Sequence, residues 1–205
     1  MILKYVCPDY RVKSLFDISA KWLKRNGYTK IVVDIDNTLL PRDKNLVGPR
    51  AMTWIRQLHQ MGINVALISN NGGDRIKGIT RQTGLGTIMR AAKPLPMAYK
   101  QITKAMGGGK ILFVGDQLLT DVLGAKVAGH PVVFVESLGG KEHFITRCTR
   151  KLEKFFLGRL HSNNMMPKER VIMKIALLQL EVLEKNKEAN VAHGLQLAAE
   201  AAKKT

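Results

Sequence analysis

Four short apolar runs, IVVDID, NVALIS, KILFVGD and PVVFVES, recur between residues 31 and 137, and segments of helical spacing fill the intervals. Each run is too short for a helix and apolar on both faces, as a strand buried inside a parallel sheet must be. Alternation of such strands with helices admits few architectures. It predicts an α/β fold with a mostly parallel sheet.

The helical stretches have recognisable ends. Residues 17–26 (DISAKWLKRN) put Ile18, Trp22 and Leu23 on one face before Gly27. PRAMTWIRQLHQMG starts at Pro49, carries Trp54, Ile55 and Leu58, and stops at Gly62. GDRIKGITRQTG ends near Gly84, and PLPMAYKQITKAMG aligns Tyr99, Ile102 and Met106. Proline at a helix start and glycine just past its end are the expected punctuation. LGTIMRAAKP predicts a short strand ending just before Lys93, and TDVLGAKVAG a further helix. After residue 140 the pattern changes to a basic amphipathic segment, followed by a long helix over 167–202. The expected division is therefore an α/β domain over 1–140 and a C-terminal helical extension over 141–205.

Two carboxylates, Asp34 and Asp36, stand at the end of the first run, where strand alternation puts both on one face. Open α/β sheets bind ligands at the carboxyl ends of their strands. A lone DxD also suits solvated turn residues, but this one has company. NVALIS leads into Ser69-Asn70-Asn71, Lys93-Pro94 follows the next strand, and KILFVGD ends in Gly115-Asp116 with Asp121 five residues on. Taken singly, Ser69 suits a helix N-cap and the aspartates suit turns. Together, in a parallel sheet, they converge on one site.

In this order DIDNTLL, LISNN, KP and GDQLLTD resemble the four motifs of the haloacid dehalogenase (HAD) superfamily, over roughly residues 5–140. PDYRVKSLFDI and GDQLLTDVLGA are most similar to the YqeG-type subclass IIIA phosphatases, whose relatives include phosphatidylglycerophosphate phosphatases. The resemblance implies an α/β fold with a doubly wound, mostly parallel, Rossmann-like sheet, and a phosphoric monoester hydrolase that works through an aspartyl-phosphate. Asp34 is the implied nucleophile, and Asp36 the acid that protonates the leaving group and then activates water. Lys93 neutralises charge. Ser69 and the backbone N–H groups around Asn70 and Asp36 bind the phosphoryl oxygens. Asp34, the Asp36 carbonyl and Asp116 are the implied Mg²⁺ ligands, with Asp121 ligating directly or through water. An oxygen-only set suits Mg²⁺, and no Cys or His clusters there to suit zinc.

Spacing adds an expectation about access. One helix and its loops fill the interval from Asp36 to Ser69, and again from Ser69 to Lys93, so no cap domain is expected. An open site admits a phosphate carried on something bulky. LLPRDKNLVG is the expected flap beside it, and Arg42, Lys44 and Arg50 suit either an anionic substrate or a solvated loop equally.

Charge is the second constraint on partners. The 205 residues carry 33 Lys+Arg against 16 Asp+Glu, a formal net charge of +17 that attracts nucleic acid, anionic membranes or phosphorylated substrates. Residues 74–110 hold eight basic residues and one acid, and 141–170 hold eight and three. RKLEKFFLGRL, with Leu152, Phe155, Phe156 and Leu160, suits either an anionic lipid interface or packing on the domain. An anionic phospholipid, with phosphatidylglycerophosphate the best single guess, is the expected substrate class. A nucleic-acid- or ribosome-associated scaffold is the alternative. Oligomeric state is left open.

Location follows from simpler counts. Cys7 and Cys148 lie too far apart to suggest a disulfide framework, which favours a reducing, cytoplasmic setting; peripheral membrane contact rests only on the lipid-interface reading of RKLEKFFLGRL. No run of about 18 apolar residues predicts a membrane span. MILKYVCPDYRVK lacks the apolar core of a signal peptide. Two decoys can be set aside: Gly107-Gly108-Gly109-Lys110 precedes a strand, unlike a Walker loop, and the five histidines lack metal spacing.

Overall fold

The computed structural model describes residues 3–139 and 144–167, all within the compact unit Met1–Ile172. Its elements run α1 (Leu3–Val6), β1 (Tyr10–Val12), a 3₁₀ turn (Leu15–Asp17), α2 (Ala20–Arg25), β2 (Lys30–Asp34), α3 (Pro49–Gln60), β3 (Asn64–Ile68) and α4 (Asp74–Thr83). They continue with β4 (Gly86–Ile88), α5 (Pro96–Ala105), β5 (Ile111–Gly115), a π turn (Leu118–Val122), α6 (Leu123–Val127), β6 (Val132–Val135) and α7 (Phe144–Ser162).

All strand pairs are parallel, in the order β1-β6-β5-β2-β3-β4. The chain leaves β2 toward β3 and β4, then crosses back to lay β5 on the other side of β2. The strand order thus reverses at β2, and a crevice opens there at the carboxyl ends of β2 and β5. The parallel sheet is the one that the alternating pattern predicts, and its doubly wound order is the one that the resemblance implies.

Alternation within the strands divides the core in two. Ile31, Val33, Val65, Leu67, Leu112 and Val114 face Leu23, Trp54, Ile55, Leu58, Ile76 and Ile79 of α2, α3 and α4. Val32, Ile68, Ile111 and Phe113 face Val6, Tyr99, Ile102, Ala125 and Leu160 of α1, α5, α6 and α7. Burying one such aliphatic side chain contributes about 1.5–3 kcal/mol, so the two layers hold the strand ends rigidly in place.

Four boundaries depart from expectation. The helix expected over 17–26 is split: Ser14 and Asp17 form a capping box on the 3₁₀ turn, and the Ser19 hydroxyl caps α2 by accepting from Trp22 N–H at 3.2 Å. β2 stops at Asp34, because the chain folds back through left-handed Asn37 (φ 63°), whose N–H donates to the Leu40 carbonyl at 2.9 Å. Asp36 therefore lies on this turn and not on the strand. β4 ends five residues before Lys93, since Arg90 and Ala92 are both left-handed. The segment expected to open a helix at Thr120 begins as a π turn.

β1 adds a strand that periodicity misses, and Asp9 fastens it by accepting from Val132 N–H and Lys126, both at 2.8 Å. The basic segment after 140 forms α7, which packs on the domain: Leu160 is fully buried and Glu153 accepts from Leu119 N–H at 3.2 Å. Leu152 and Phe155 remain exposed. No described helix is long and apolar enough to cross a membrane. The long helix expected from 167 onward lies outside the described residues.

The glycine run Gly107–Gly109 is a turn at the opposite edge of the sheet. Its carbonyls accept from Lys30, at 2.7 Å for Gly108. A loop that presents carbonyls does not cradle phosphate.

Candidate active site

Asp34 ends the central strand and is buried, as are Asp36, Ser69, Lys93, Asp116 and Asp121. Of the seven residues singled out by type and position, these six are buried at one sheet edge, and Asn70 is exposed beside them. Three carboxylates, Asp34, Asp116 and Asp121, each place an oxygen within 4.8 Å of the others.

Lys93 lies among them. Its Nζ donates to Asp34 and, at 2.6 Å, to Asp121. Asn70 fixes the lysine's backbone from both sides: Lys93 N–H donates to Asn70 Oδ1 at 2.7 Å, and Asn70 Nδ2 donates to the Lys93 carbonyl at 3.1 Å. The Asn70 side chain is thus spent on orienting Lys93, next to a cis Lys93–Pro94 peptide.

Asp121 owes its position to the π turn, in which Val122 N–H reaches the Gln117 carbonyl five residues back at 3.1 Å. That wide turn aims Asp121 inward, and its Oδ2 accepts from Gln117 N–H at 3.1 Å. Gly115 makes room, since a Cβ there would collide with the Asp121 side chain. Thr38, within the first motif, donates to Asp116 at 3.3 Å.

Charge does not balance in this group. Three carboxylates and one ammonium leave a buried excess of two negative charges, if all are ionised. Burial pushes the Asp34 carboxyl well above the usual range; Lys93 pulls it down, and Asp121 and Asp116 push it up again. For Lys93, burial works against the ammonium, but Asp121 and Asp34 outweigh it and raise its value. Oxygen donors with a double negative excess fit a divalent cation.

Asp36 has different company. Its Oδ1 accepts from Arg75 Nη1 at 2.7 Å, and its Oδ2 accepts from Asn71 Nδ2 at 2.7 Å and Ser69 Oγ at 3.2 Å. Ser69 in turn accepts from Asn71 N–H at 3.0 Å. Sequence reading had no means of finding Arg75, one basic residue among 33, or the exact use of Asn71. Of the flap cations, Arg42 does reach the site through Asn71, whereas Arg50 lies over the Phe16 ring, 4.5 Å from its centroid.

A reversal point in a parallel sheet, lined by paired carboxylates, a buried lysine and a divalent-cation-type cluster, defines an α/β enzyme that does its chemistry with strand-end aspartates. A family model described as haloacid dehalogenase-like hydrolase matches residues 10–129, and the chain belongs to that family. The "Probable phosphatase YqeG" of Bacillus subtilis (strain 168) is 35% identical over 162 residues, 78% of this chain and 94% of that protein. Phosphatidylglycerophosphate phosphatase 1, chloroplastic/mitochondrial, of Arabidopsis thaliana is 27% identical over 176 residues, 80% of this chain and 51% of that longer protein. Among solved structures, 3-deoxy-D-manno-octulosonate 8-phosphate phosphatase from Yersinia pestis aligns with a TM-score of 0.45 at 14% identity, over 72% of this chain and 88% of that one. The enzyme class expected from the motifs, a phosphoric monoester hydrolase, agrees with the family and with the names of the two sequence relatives. The nucleic-acid scaffold finds no support in them.

Proposed function

We propose that the protein is a Mg²⁺-dependent phosphatase that hydrolyses a bulky phosphomonoester through an aspartyl-phosphate on Asp34, with phosphatidylglycerophosphate the favoured substrate. The observation that carries this reading is the buried group of Asp34, Lys93, Asp116 and Asp121, with Asp36 on the adjoining turn.

An Asp34 oxygen attacks phosphorus, and the bond to the leaving oxygen breaks. Asp36 delivers a proton to that oxygen, and the alcohol departs. Asp36 then takes a proton from water as the water attacks the aspartyl-phosphate, which frees inorganic phosphate and restores Asp34. Lys93 offsets the charge that would otherwise repel a phosphate dianion. Asp34, Asp116 and Asp121, with the Asp36 carbonyl, would hold Mg²⁺. When bound, it supplies charge neutralisation at the phosphoryl oxygens and favours the ionised Asp34 that burial opposes.

Two features support a bulky, lipid-borne substrate. One helix, α3, fills the interval where a cap would otherwise be inserted. The loops leaving the carboxyl ends of β2, β4 and β6 expose Leu46, Leu95 and Leu138, and the first turn of α5 exposes Met97, so the site's rim is apolar beside its arginines. Such a rim suits peripheral contact with an anionic lipid surface. α7 adds exposed Leu152 and Phe155 next to basic residues.

Phosphate release from phosphatidylglycerophosphate in mixed micelles, with Mg²⁺, tests the reading. Turnover by wild type and none by Asp34→Asn is expected. Equal turnover by both would remove the assigned nucleophile. Hydrolysis of p-nitrophenyl phosphate without hydrolysis of the lipid would keep the chemistry and discard the substrate.

A further inference from the structure

We propose that Arg42 and Arg75 form a second anion subsite beside Asp36, which takes a second phosphate group carried on the leaving alcohol. The inference rests on the phosphatase reading in one respect: if Asp36 protonates the leaving oxygen, the leaving group lies against whatever surrounds Asp36.

What surrounds it is two guanidinium groups from separate elements. Arg75 comes from the first turn of α4 and bonds Asp36 through Nη1 at 2.7 Å. Arg42 comes from the loop after β2 and donates through Nη2 to Asn71 Oδ1 at 3.3 Å. Asn71 itself donates to Asp36 at 2.7 Å, so the two arginines flank one short Asp36–Asn71 bridge.

Neither arginine is fully used. Arg75 Nε donates to the Lys44 carbonyl at 2.9 Å, which ties α4 to the flap, but its Nη2 is buried with no acceptor among the described residues. A buried donor without a partner is destabilising, and an incoming oxygen would relieve that cost. The Arg42–Asn71 bond, at 3.3 Å, is longer than an ordinary N–H···O bond and readily exchanged for a charge-assisted one.

Orienting one carboxylate needs one arginine. A second guanidinium at the same bridge leaves a local excess of positive charge, the reverse of the negative excess around Lys93. The neighbouring Asp74 turns to Lys77 at 3.4 Å and is not placed to cancel it. Arg90 lies over the same loop: its N–H donates to the Asn71 carbonyl at 3.0 Å, and a Cβ on Gly72 would sit 2.9 Å from its Nε. Planar guanidinium forks are the side chains best matched to phosphate oxygens. The two sides of the site therefore divide the substrate: the acidic, cation-type side takes the phosphoryl group transferred, and the arginine side takes an anion that stays with the alcohol.

That anion is either the phosphodiester inside a lipid head group or a free second phosphate, and non-hydrolysable phosphonates distinguish them. Calorimetric titration of the wild-type protein, with Mg²⁺, would compare pentylphosphonate, pentane-1,5-bisphosphonate and the bisphosphonate esterified at one end with a hexyl chain. At least one two-headed ligand should bind ~10-fold or more tightly than pentylphosphonate, a difference of about 1.4 kcal/mol. A gain by the ester marks the diester, and a gain confined to the free bisphosphonate marks the second phosphate. Arg42→Gln should shrink the gap, and Arg42→Lys, which keeps the charge and loses the fork, should restore part of it. Equal binding of all three ligands, or a gap that Arg42→Gln leaves intact, overturns the subsite. Turnover of p-nitrophenyl phosphate by the wild type is measured separately. Its absence would count against the phosphatase reading while the binding gap still decides the subsite.

Discussion

Lys93 and Asp121 are joined at 2.6 Å inside the protein, with 4% and 6% of their side chains exposed. The ammonium reaches Asp34 in the same place, so one lysine connects the first, third and fourth motifs. Because that lysine leaves the cluster two charges short, the cluster's response to cations is the first thing to measure.

Mg²⁺ added to metal-free protein should raise the melting temperature, and chelation should reverse it. At a hundred times the dissociation constant the gain is about 2.7 kcal/mol. For a chain of this size each kcal/mol corresponds to roughly 2–4 °C. A thermal melt unmoved by Mg²⁺ would mean that the three aspartates do not take it.

Lys93→Met removes the internal ammonium and leaves three carboxylates facing one another. Breaking a buried ion pair in this way costs about 3–5 kcal/mol. The variant should melt lower than wild type and recover more on adding Mg²⁺, because its negative excess is larger. A smaller metal-induced shift than in wild type would contradict the charge balance argued above.

Gly115→Ala tests whether Asp121 is held by space as well as by bonds. The new Cβ meets the Asp121 side chain, which must move together with its bond to Lys93. Overpacking costs about 1–3 kcal/mol, and a displacement of about 1 Å at a reacting centre costs about 10²-fold in rate. Phosphate release and a melting curve on the same sample read both effects. Full activity would show that Asp121 is dispensable.

His130 supplies a pH dependence away from the site. Burial lowers its imidazole below the ordinary value. The Thr103 hydroxyl donates to the Tyr99 carbonyl at 2.7 Å, so its oxygen is left to accept from neutral His130 Nε2–H at 2.9 Å. As pH falls through about 6.5 the unfolded chain binds a proton that the folded one still refuses, and stability is lost. Between pH 7.5 and 5.5 the melting temperature should therefore drop further in wild type than in His130→Gln. Parallel pH curves for the two proteins would remove His130 as the cause.

Leu160→Ala probes the docking of α7. The side chain is fully buried in the layer beneath α5 and α6, and its truncation should cost about 2–5 kcal/mol in a denaturant titration. A loss below 0.5 kcal/mol, the range of ordinary surface substitutions, would mean that α7 adds little to the domain.

Asp34, Ser69 and Asp116 are legible in the sequence because each directly follows an apolar run that forms a buried strand, whereas Lys93 stands out only beside Pro94, since β4 stops five residues earlier. Topology does the rest, since parallel strands deliver their ends to one edge. Arg75 is illegible for the complementary reason: it reaches Asp36 across 39 positions through a helix turn and a flap carbonyl, and neither contact leaves a spacing pattern. β1, at three residues, is too short to show a period of two. Asp36 is misplaced onto the strand because nothing in IVVDID marks the left-handed turn at Asn37, one residue beyond it.

The π turn at Leu118–Val122 carries a lesson about length. An α-helix rotates about 100° per residue, so deleting one residue between Asp116 and Asp121 would preserve every kind of side chain there and still swing the second carboxylate away from the cleft. What this segment must keep is a count, while Leu118 and Leu119 need only remain apolar. A pattern written to recognise this site in other chains should therefore hold the interval between the two aspartates rigid and leave its contents loose.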